Sequence, residues 1–462
     1  MSQKNETTVL VLSLLVTAGL LGAGLCWLVN YSGMNLGSLL SSKTSGSGSV
    51  SQSSGSLQNR ISLGDKILVA ADTSSQKQAG VQAFAKGDFT NAVTQFQSSL
   101  QAKRNDPESL IYLNNAKAAN SNPLKVAVSV PIANNVNIAQ EILRGVAQAQ
   151  DELNRAGGIN GKLLQVEIAN DENSPEIVKK LANQFVRDSS VLAVVGHNSS
   201  DASLAAAPVY QQGKLVMISP TSDAQDLSGI GSYIFRTIPT IRSQANTLSD
   251  YAVKTAKKTN IAVCADSSSQ SSQSFKKEFI SALFASGGRV TPTNCDLAAP
   301  NFSASTISSQ VVSDRADGLL LLPSVDRIDR AIDVAQANQK RLSLLGSANL
   351  YTFQTLQQGQ AAVNGMVLTV PWHPGAIPGN PFPQKARNLW GGAVNWRTAT
   401  AYDATQAIIA GLKQNQTREG LQQALSSPGF SVNGATGSIQ FSQLGDRNGG
   451  AILVKIQPGQ TS

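Results

Sequence analysis

The chain has 462 residues, of which 41% are hydrophobic and 14% charged, and its formal net charge is +8. This length exceeds what one hydrophobic core organises, so it predicts two or three compact units. The composition is typical of globular proteins and excludes general disorder. The Lys and Arg residues are scattered, with no basic run interleaved with aromatic residues, and we therefore expect no nucleic-acid partner.

The first sixty residues indicate a membrane anchor followed by a tether. Residues 9–29 form a continuous apolar segment long enough to cross a bilayer as a helix. We predict a cytoplasmic N-terminus at 1–8, a transmembrane anchor or uncleaved signal at 9–29, and a flexible Ser/Gly-rich linker at 30–60. The soluble part is then extracytoplasmic. Cleavage or lipidation at Cys26 stays open, because small residues surround that cysteine as in a lipobox but Leu25 is larger than usual there.

Residues 61–122 are predicted to form a helical region. Apolar residues at helical spacing are interrupted by Gly87, and Pro107 opens a further helix. The segment resembles one and a half tetratricopeptide repeats. The residues that carry this resemblance are Gly80, Gly87, Phe89, Ala92 and Phe96. Because repeats bury their faces on neighbours, the resemblance implies a capped hairpin that leans on another domain or binds an envelope protein. A plain spacer is the alternative.

From residue 124 the sequence alternates between short β-rich runs and amphipathic helical stretches. The runs are KVAVSV, LLQVEIA, VLAVVG, LVMIS, NIAVCAD, DGLLLLP and SLLGSA. Such alternation predicts an α/β fold with parallel sheets covered by helices on both faces. There are too many units for one sheet, so we expect two doubly wound lobes in residues 124–462. Lobe 1 is predicted at about 124–240 plus a C-terminal return, and lobe 2 at about 241–370.

Ligands of such sheets bind outside the carboxyl ends of the strands, where helix N-termini offer unpaired N–H groups. The predicted interlobe cleft therefore lies at five loops that follow strands. These loops are GHNSSD, SPTSDAQD, ADSSSQSS, PSVD and GSANLY. We expect the lobes to close by hinge motion at three crossover strands, the first near 239–241 and another near 370–372.

From residue 124 to the end, the order of motifs resembles the type I periplasmic binding proteins of branched-chain amino-acid ABC transporters. The motifs are GVAQAQDELNRAGGINGK (145–162), VVGHNSSDASLAAAPVYQQGKLVMISPTS (194–222), YIFRTIPT (233–240) and AYDATQAI (401–408). The resemblance implies a protein that is not an enzyme, whose lobes close about a small polar, amino-acid-like ligand for an ABC permease. Penicillin-binding-protein activators similarly place a helical-repeat domain before this fold. A sensor, or a scaffold that activates an envelope enzyme, is therefore the alternative function.

The same resemblance implies a candidate ligand site. The serine that contacts a ligand carboxylate falls on Ser200, with Ser199 beside it, and the loop position usually held by threonine falls on Ser222 and Asp223. An aspartate there repels a carboxylate or forces a proton onto one of the pair. The alternatives are that Asp223 caps a helix or selects a cationic group. The candidate ligand-binding residues are Asn137, Ile138, Ser199, Ser200, Ser222, Asp223, Gln270, Ser271, Ser324 and Asn349.

Catalytic and metal chemistry are not expected. His197 stands near Ser199 and Ser200, but sequence neighbours on one turn rarely align for proton transfer, and the G-x-S-x-G motif is absent. Two histidines and dispersed cysteines supply no metal-ligand set, and we expect no cofactor. Cys264 and Cys295 lie near the ends of two predicted neighbouring strands. A disulfide and a pair of buried free thiols therefore remain equal alternatives.

Overall fold

The computed structural model describes residues 57–457. Two β-sheets each form the core of one lobe. The strands of the first sheet are β1 (Ile61–Ser62), β2 (Leu124–Val130), β3 (Leu164–Asn170), β4 (Val191–Val195), β5 (Val216–Ser219) and β6 (Ile234–Arg236). Their spatial order is β1-β3-β2-β4-β5-β6. β1 runs antiparallel to its neighbour and the other strands pair in parallel.

The second sheet is built in the same way. Its strands are β7 (Asn260–Ala265), β8 (Arg289–Val290), β9 (Gly318–Leu322), β10 (Ser343–Gly346), β11 (Val367–Val370) and, after the hairpin of β12 (Val432–Gly434) and β13 (Gly437–Ile439), β14 (Ile452–Lys455). Their spatial order is β14-β11-β10-β9-β7-β8, with the edge strand β14 antiparallel to β11.

Helices cover both sheets. A helical region precedes the lobes with α1 (Ser75–Ala85), α2 (Phe89–Ala102) and α3 (Pro107–Ala118). The further helices are α4 (Val136–Arg155), α5 (Pro175–Arg187), α6 (Ser200–Gln212), α7 (Ile241–Asp250), α8 (Gln270–Ala285), α9 (Ala304–Ser313), α10 (Ile328–Asn338), α11 (Phe353–Gly359), α12 (Phe382–Trp390), α13 (Trp396–Gln414) and α14 (Arg418–Ser426). Helices α7–α11 belong to lobe 2, and α4–α6 with α12–α14 belong to lobe 1.

The central strands form because their sequences are apolar on both faces. Nearly every residue of β2, β4 and β9 is buried, as a parallel sheet covered by helices on both sides requires. Each β-rich run predicted from the sequence contains a strand. The predicted α/β fold with two parallel-sheet lobes is therefore confirmed.

Within the described residues, the chain passes between the lobes three times. The passages lie between β6 and α7, between β11 and α12, and directly before β14. The first two coincide with the predicted crossover segments near 239–241 and 370–372. In the second passage Trp372 is buried and packs edge-on against Phe382, with ring centroids 5.7 Å apart. This aromatic contact makes the proline-rich stretch a packed connection.

The helical region leans on lobe 1. Helix α3 lies between α2 and α4, and almost all of its residues are buried. The side-chain amide of Asn115 donates to the backbone carbonyl of Val166 in β3 at 2.7 Å. Upstream of these helices, Ile61 pairs with Ala169 at the sheet edge. Residues 57–122 therefore share the core of lobe 1.

Among residues 57–457, no helix combines the length and the apolar character needed to span a bilayer. The predicted anchor at 9–29 and the predicted segment at 1–8 lie outside the described residues, as does most of the predicted linker at 30–60.

A buried ion cluster fastens the helical region. The Lys77 ammonium lies 2.9 Å from Asp106 Oδ2 and 2.7 Å from Glu108 Oε2, and all three side chains are almost fully buried. Burial by itself lowers the pKa of Lys77, but the two carboxylates outweigh it and raise the pKa. Glu108 also accepts hydrogen bonds from the backbone N–H of Leu68 and from the Tyr112 hydroxyl. The Lys77–Glu108 pair thus joins three chain segments.

We expect Lys77→Met to lower the free energy of unfolding by about 3–5 kcal/mol, because it leaves two carboxylates buried without their cation. Lys254→Met is the matched control, since the side chains of Lys254 and of its ion-pair partner Asp250 are both more than half exposed. The control is expected to lose less than about 1 kcal/mol. Urea denaturation followed by circular dichroism measures both values, and equal losses would contradict the proposed role of the buried cluster.

Cys264 and Cys295 form a disulfide bond that joins the end of β7 to the segment after β8. The structure thus selects one of the two alternatives left open by the sequence. Two residues beyond the bond, the Leu297 backbone N–H donates to the Ala265 carbonyl at 2.8 Å, so the same segment is also held by backbone pairing.

We expect peptides containing Cys264 and Cys295 to be recovered as one linked pair when unreduced protein is alkylated, digested and analysed by mass spectrometry. After reduction, the two cysteines should appear as separately alkylated peptides. Alkylation of both thiols in protein that was never reduced would show that the bond does not form in solution.

Candidate functional site

A cavity of about 310 Å³ lies between the lobes, at the carboxyl ends of strands from both sheets. Each of the five predicted loops contributes to its wall. The contributing residues are Asn198–Asp201, Thr221, Asp223, Ser268, Ser269, Ser271, Ser324–Asp326 and Ser347–Asn349. The wall therefore carries many hydroxyl groups and the starts of several helices, which suits a small polar molecule.

Six of the predicted site residues line this cavity. They are Ser199, Ser200, Asp223, Ser271, Ser324 and Asn349. The other four do not. The Ser222 hydroxyl is fully buried and donates to the His197 carbonyl, Ile138 belongs to the lobe 1 core, Asn137 is exposed, and Gln270 lies just outside the wall.

The loop after β4 forms one side of the cavity. Ser199 is the N-cap of α6, and its Oγ accepts from the Ala202 backbone N–H at 3.1 Å. Ser200 Oγ accepts from the Ala224 backbone N–H at 3.1 Å, which ties this loop to the loop after β5. The Thr221 hydroxyl, in the loop after β5, also bonds to the loop after β4 by donating to the Asn198 carbonyl at 2.8 Å. The first turn of a helix is thereby held against the cavity.

His197 does not act on the neighbouring serines. Its Nδ1 lies 2.7 Å from Asp171 Oδ2 and its Nε2 lies 3.1 Å from the Tyr210 hydroxyl. The residue is fully buried. Both ring nitrogens thus have hydrogen-bond partners inside lobe 1. This histidine is therefore not placed to act as a general base for Ser199 or Ser200.

Asp223 faces the cleft, and its partners come from lobe 2. Oδ1 accepts from the Ser271 hydroxyl at 2.5 Å, and Oδ2 accepts from the Gln244 side-chain amide at 3.2 Å. Burial raises the pKa of Asp223, while Ser271 and Arg236 oppose that shift. The aspartate neither caps a helix nor stands free for a cation. It connects the two lobes.

Two other carboxylates on the cavity wall also accept from the opposite lobe. Asp201 of α6 accepts from the Gln270 backbone N–H at the start of α8, at 3.4 Å. Asp326 of lobe 2 accepts from the Asn135 side-chain amide at 2.9 Å. Burial raises the pKa of Asp201. Together with Asp223, these contacts hold the lobes in a closed arrangement.

Two residues that were not among the predicted site residues, Trp396 and Arg397, line the cavity from the start of α13. Arg397 is 1% exposed, and its guanidinium stacks on the Trp396 ring with 4.4 Å between the charged carbon and the ring centroid. Nη1 donates to Glu141 Oε2 at 3.3 Å and Nη2 donates to Asn349 Oδ1 at 3.4 Å. Burial lowers the pKa of Arg397, and Glu141 opposes that shift. A buried cation thus stands at the cavity.

The described residues contain no group of three or more His, Cys, Asp or Glu side chains placed to hold a metal ion. The chemistry available at this cavity is therefore that of hydroxyl, amide, carboxylate and guanidinium groups.

A family model described as periplasmic binding protein matches residues 123–457, which is more than half of the chain. The chain belongs to the periplasmic binding protein family. Members of this family are substrate-binding proteins of ABC transporters and are not enzymes, in agreement with the prediction made from the sequence.

The chain is also similar to named relatives in sequence and to solved structures in fold. An amino acid binding protein of Pseudomonas aeruginosa is 32% identical over 133 residues, which cover 29% of this chain and only 36% of that protein. The Leu/Ile/Val-binding protein of Escherichia coli is 24% identical over 335 residues, covering 70% of this chain and 86% of that protein. The crystal structure of a leucine binding protein from Thermotoga maritima has a TM-score of 0.66 at 20% identity and covers 73% of this chain and 96% of that one.

We expect Ser271→Ala to shift this periplasmic binding protein toward an open arrangement, because a hydrogen bond to a carboxylate contributes about 1.5–3 kcal/mol. Small-angle X-ray scattering without added ligand should record a larger radius of gyration. Ser267→Ala is the matched control, since the Ser267 hydroxyl donates to Asp296 within lobe 2 at 2.7 Å. An equal change in both variants would contradict an interlobe role for the Asp223–Ser271 contact.

Proposed function

We propose that this chain is a membrane-tethered extracytoplasmic solute-binding protein that captures a small polar, amino-acid-like ligand between its lobes for an ABC permease. The observation that carries the proposal is the interlobe cavity, whose polar wall comes from the strand-end loops of both sheets. A ligand held there contacts both lobes, so binding stabilises the closed arrangement over the open one.

The candidate ligand contacts follow from the cavity wall. Ser199 and Ser200, with the first backbone N–H groups of α6, are proposed to hold an anionic or polar head group. The lobe 2 residues that are proposed to contact the rest of the ligand and to discriminate between ligands are Ser271, Ser324 and Asn349. The relatives are named as an amino acid binding protein and as a Leu/Ile/Val-binding protein, and these names support a ligand of the size of an amino acid. A cavity of about 310 Å³ is at the small end of ligand sites.

The remaining parts of the chain are assigned by the same proposal. Residues 1–8 are cytoplasmic, 9–29 anchor the protein, and 30–60 form the tether that leads to the soluble part. Residues 61–122 are a tetratricopeptide-like region, and 124–462 are the two-lobed binding unit. The disulfide of Cys264 and Cys295 supports an oxidising, extracytoplasmic location.

Hinge motion at the passages between the lobes is proposed to open and close the site. The Asp223–Ser271 and Asp201–Gln270 contacts lie on the closing surfaces, so opening has to break them. The scaffold alternative predicts that no small molecule is needed for function.

We expect Ser199→Ala to weaken ligand binding about tenfold or more, because the variant loses a polar group at the cavity and the cap of α6. Isothermal titration calorimetry against the proteinogenic amino acids and short-chain carboxylates identifies a ligand and measures its affinity. Ser303→Ala is the matched control: Ser303 caps α9 in the same way, through the Thr306 backbone N–H at 3.3 Å, but lies outside the cavity.

The control is expected to lose a similar free energy of unfolding and to keep the affinity of the unmodified protein. Failure of every compound in the panel to bind the unmodified protein would overturn the proposed function and favour a scaffold.

A further inference from the structure

Arg397 is the least exposed charged side chain on the cavity wall, and its hydrogen bonding is incomplete. A guanidinium carries five N–H groups. Nη1 and Nη2 make one bond each, at 3.3 Å and 3.4 Å, and both distances are long for hydrogen bonds from a charged donor. Nε is buried and has no partner among the described residues. A buried cation with an unpaired N–H is unfavourable unless an acceptor reaches it.

A second donor on the same wall is also unpaired. The Asn173 side-chain oxygen accepts from the Ser199 backbone N–H at 3.2 Å, which fixes how the amide lies. Its Nδ2 is buried and lacks a partner among the described residues. Asn173 and Arg397 are the two cavity-lining residues that leave a buried side-chain donor unsatisfied. Each of these two N–H groups lacks a hydrogen-bond acceptor.

The hydrogen-bond acceptors of the cavity wall, unlike these two donors, already have partners in the protein. Asp201, Asp223 and Asp326 each accept a hydrogen bond from the facing lobe. The Asn349 side-chain oxygen accepts from Arg397 itself. In the closed arrangement these acceptors are engaged by protein donors, whereas donors remain open. The balance favours a ligand that brings oxygen acceptors over one that brings an ammonium group. Burial raises the pKa of Asp201 and of Asp223, which favours their neutral forms and lessens their repulsion of a ligand carboxylate.

We propose that the cleft binds a short-chain dicarboxylate, with one carboxylate on Arg397 and the other at the α6 start beside Ser199 and Ser200. Asn173 donates to the bound acid through its side-chain amide. This inference rests on the proposed function and narrows its ligand class. Guanidinium and carboxylate match in geometry and charge, and the low-dielectric setting of Arg397 strengthens that pair.

Calorimetry with succinate, glutarate and L-leucine as probes tests the proposal. We expect the unmodified protein to bind at least one of the two diacids and to bind L-leucine at least tenfold more weakly. Arg397→Lys keeps the positive charge but loses Nε and the planar fork, so diacid affinity should fall about tenfold to a hundredfold. Arg418→Lys is the matched control, because Arg418 bonds to backbone carbonyls of lobe 1 away from the cavity.

A paired variant, Arg397→Gln with Glu141→Gln, removes both charges of this ion pair and keeps the test valid where Arg397→Lys fails to fold. It should melt near the temperature of the unmodified protein and lose diacid binding. Tighter binding of L-leucine than of both diacids, unchanged in the Arg397 variants, would overturn the dicarboxylate assignment and leave the proposed function intact. If no amino acid and no carboxylate binds, the proposed function itself falls, and the two failures are thus distinguished.

Discussion

The crossing of α4 and α13 is the contact on which the ligand site depends. A Cβ atom at Gly145 would lie 2.3 Å from the Thr398 carbonyl oxygen, so the two helices approach this closely only because the residue is glycine. Beside the crossing, the Thr398 hydroxyl donates to the Glu141 carbonyl at 2.8 Å. Since α13 begins at the cavity, the same contact fixes where Trp396 and Arg397 stand and brings the Glu141 carboxylate to the guanidinium.

The sequence predicts most strands that fill the centre of each sheet. It misses the edge strands and also β11, which lies between β10 and β14. Central strands are buried on both faces, which produces apolar runs such as GLLLL in β9. Edge strands depend on ladder pairing with one neighbour, and their sequences carry little pattern. β1 has two residues, β8 has two, and β14 alternates intermediate and exposed positions. The N-terminal helices were predicted because their apolar spacing, the interruption at Gly87 and the start at Pro107 are local signals.

Within the site, the loops were predictable and the individual contacts were less so. The carboxyl-end rule places the five loops, but the turn after β5 directs Thr221 to the cavity and Ser222 into the interior, which no local pattern reports. Arg397 was missed because it lies at the start of α13, which follows another helix, so the carboxyl-end rule for strands does not point to it. One signal was available in α13, which is buried on all sides over most of its length. A charged residue in such a helix needs a specific partner.

Helix α13 carries two buried charges, and their different surroundings separate folding from binding. Asp403 Oδ2 accepts from Arg447 Nη1 at 2.9 Å and from the backbone N–H and hydroxyl of Thr436. Its Oδ1 accepts from the Ala435 backbone N–H at 2.5 Å, so both oxygens are satisfied within lobe 1. Arg397, on the same helix, is left with an unpaired Nε. Burial is unfavourable for both charges, but only Asp403, which is enclosed by protein, finds all its hydrogen-bond partners in the protein. The incomplete charge is the one at the cavity, where a bound molecule supplies the missing acceptor.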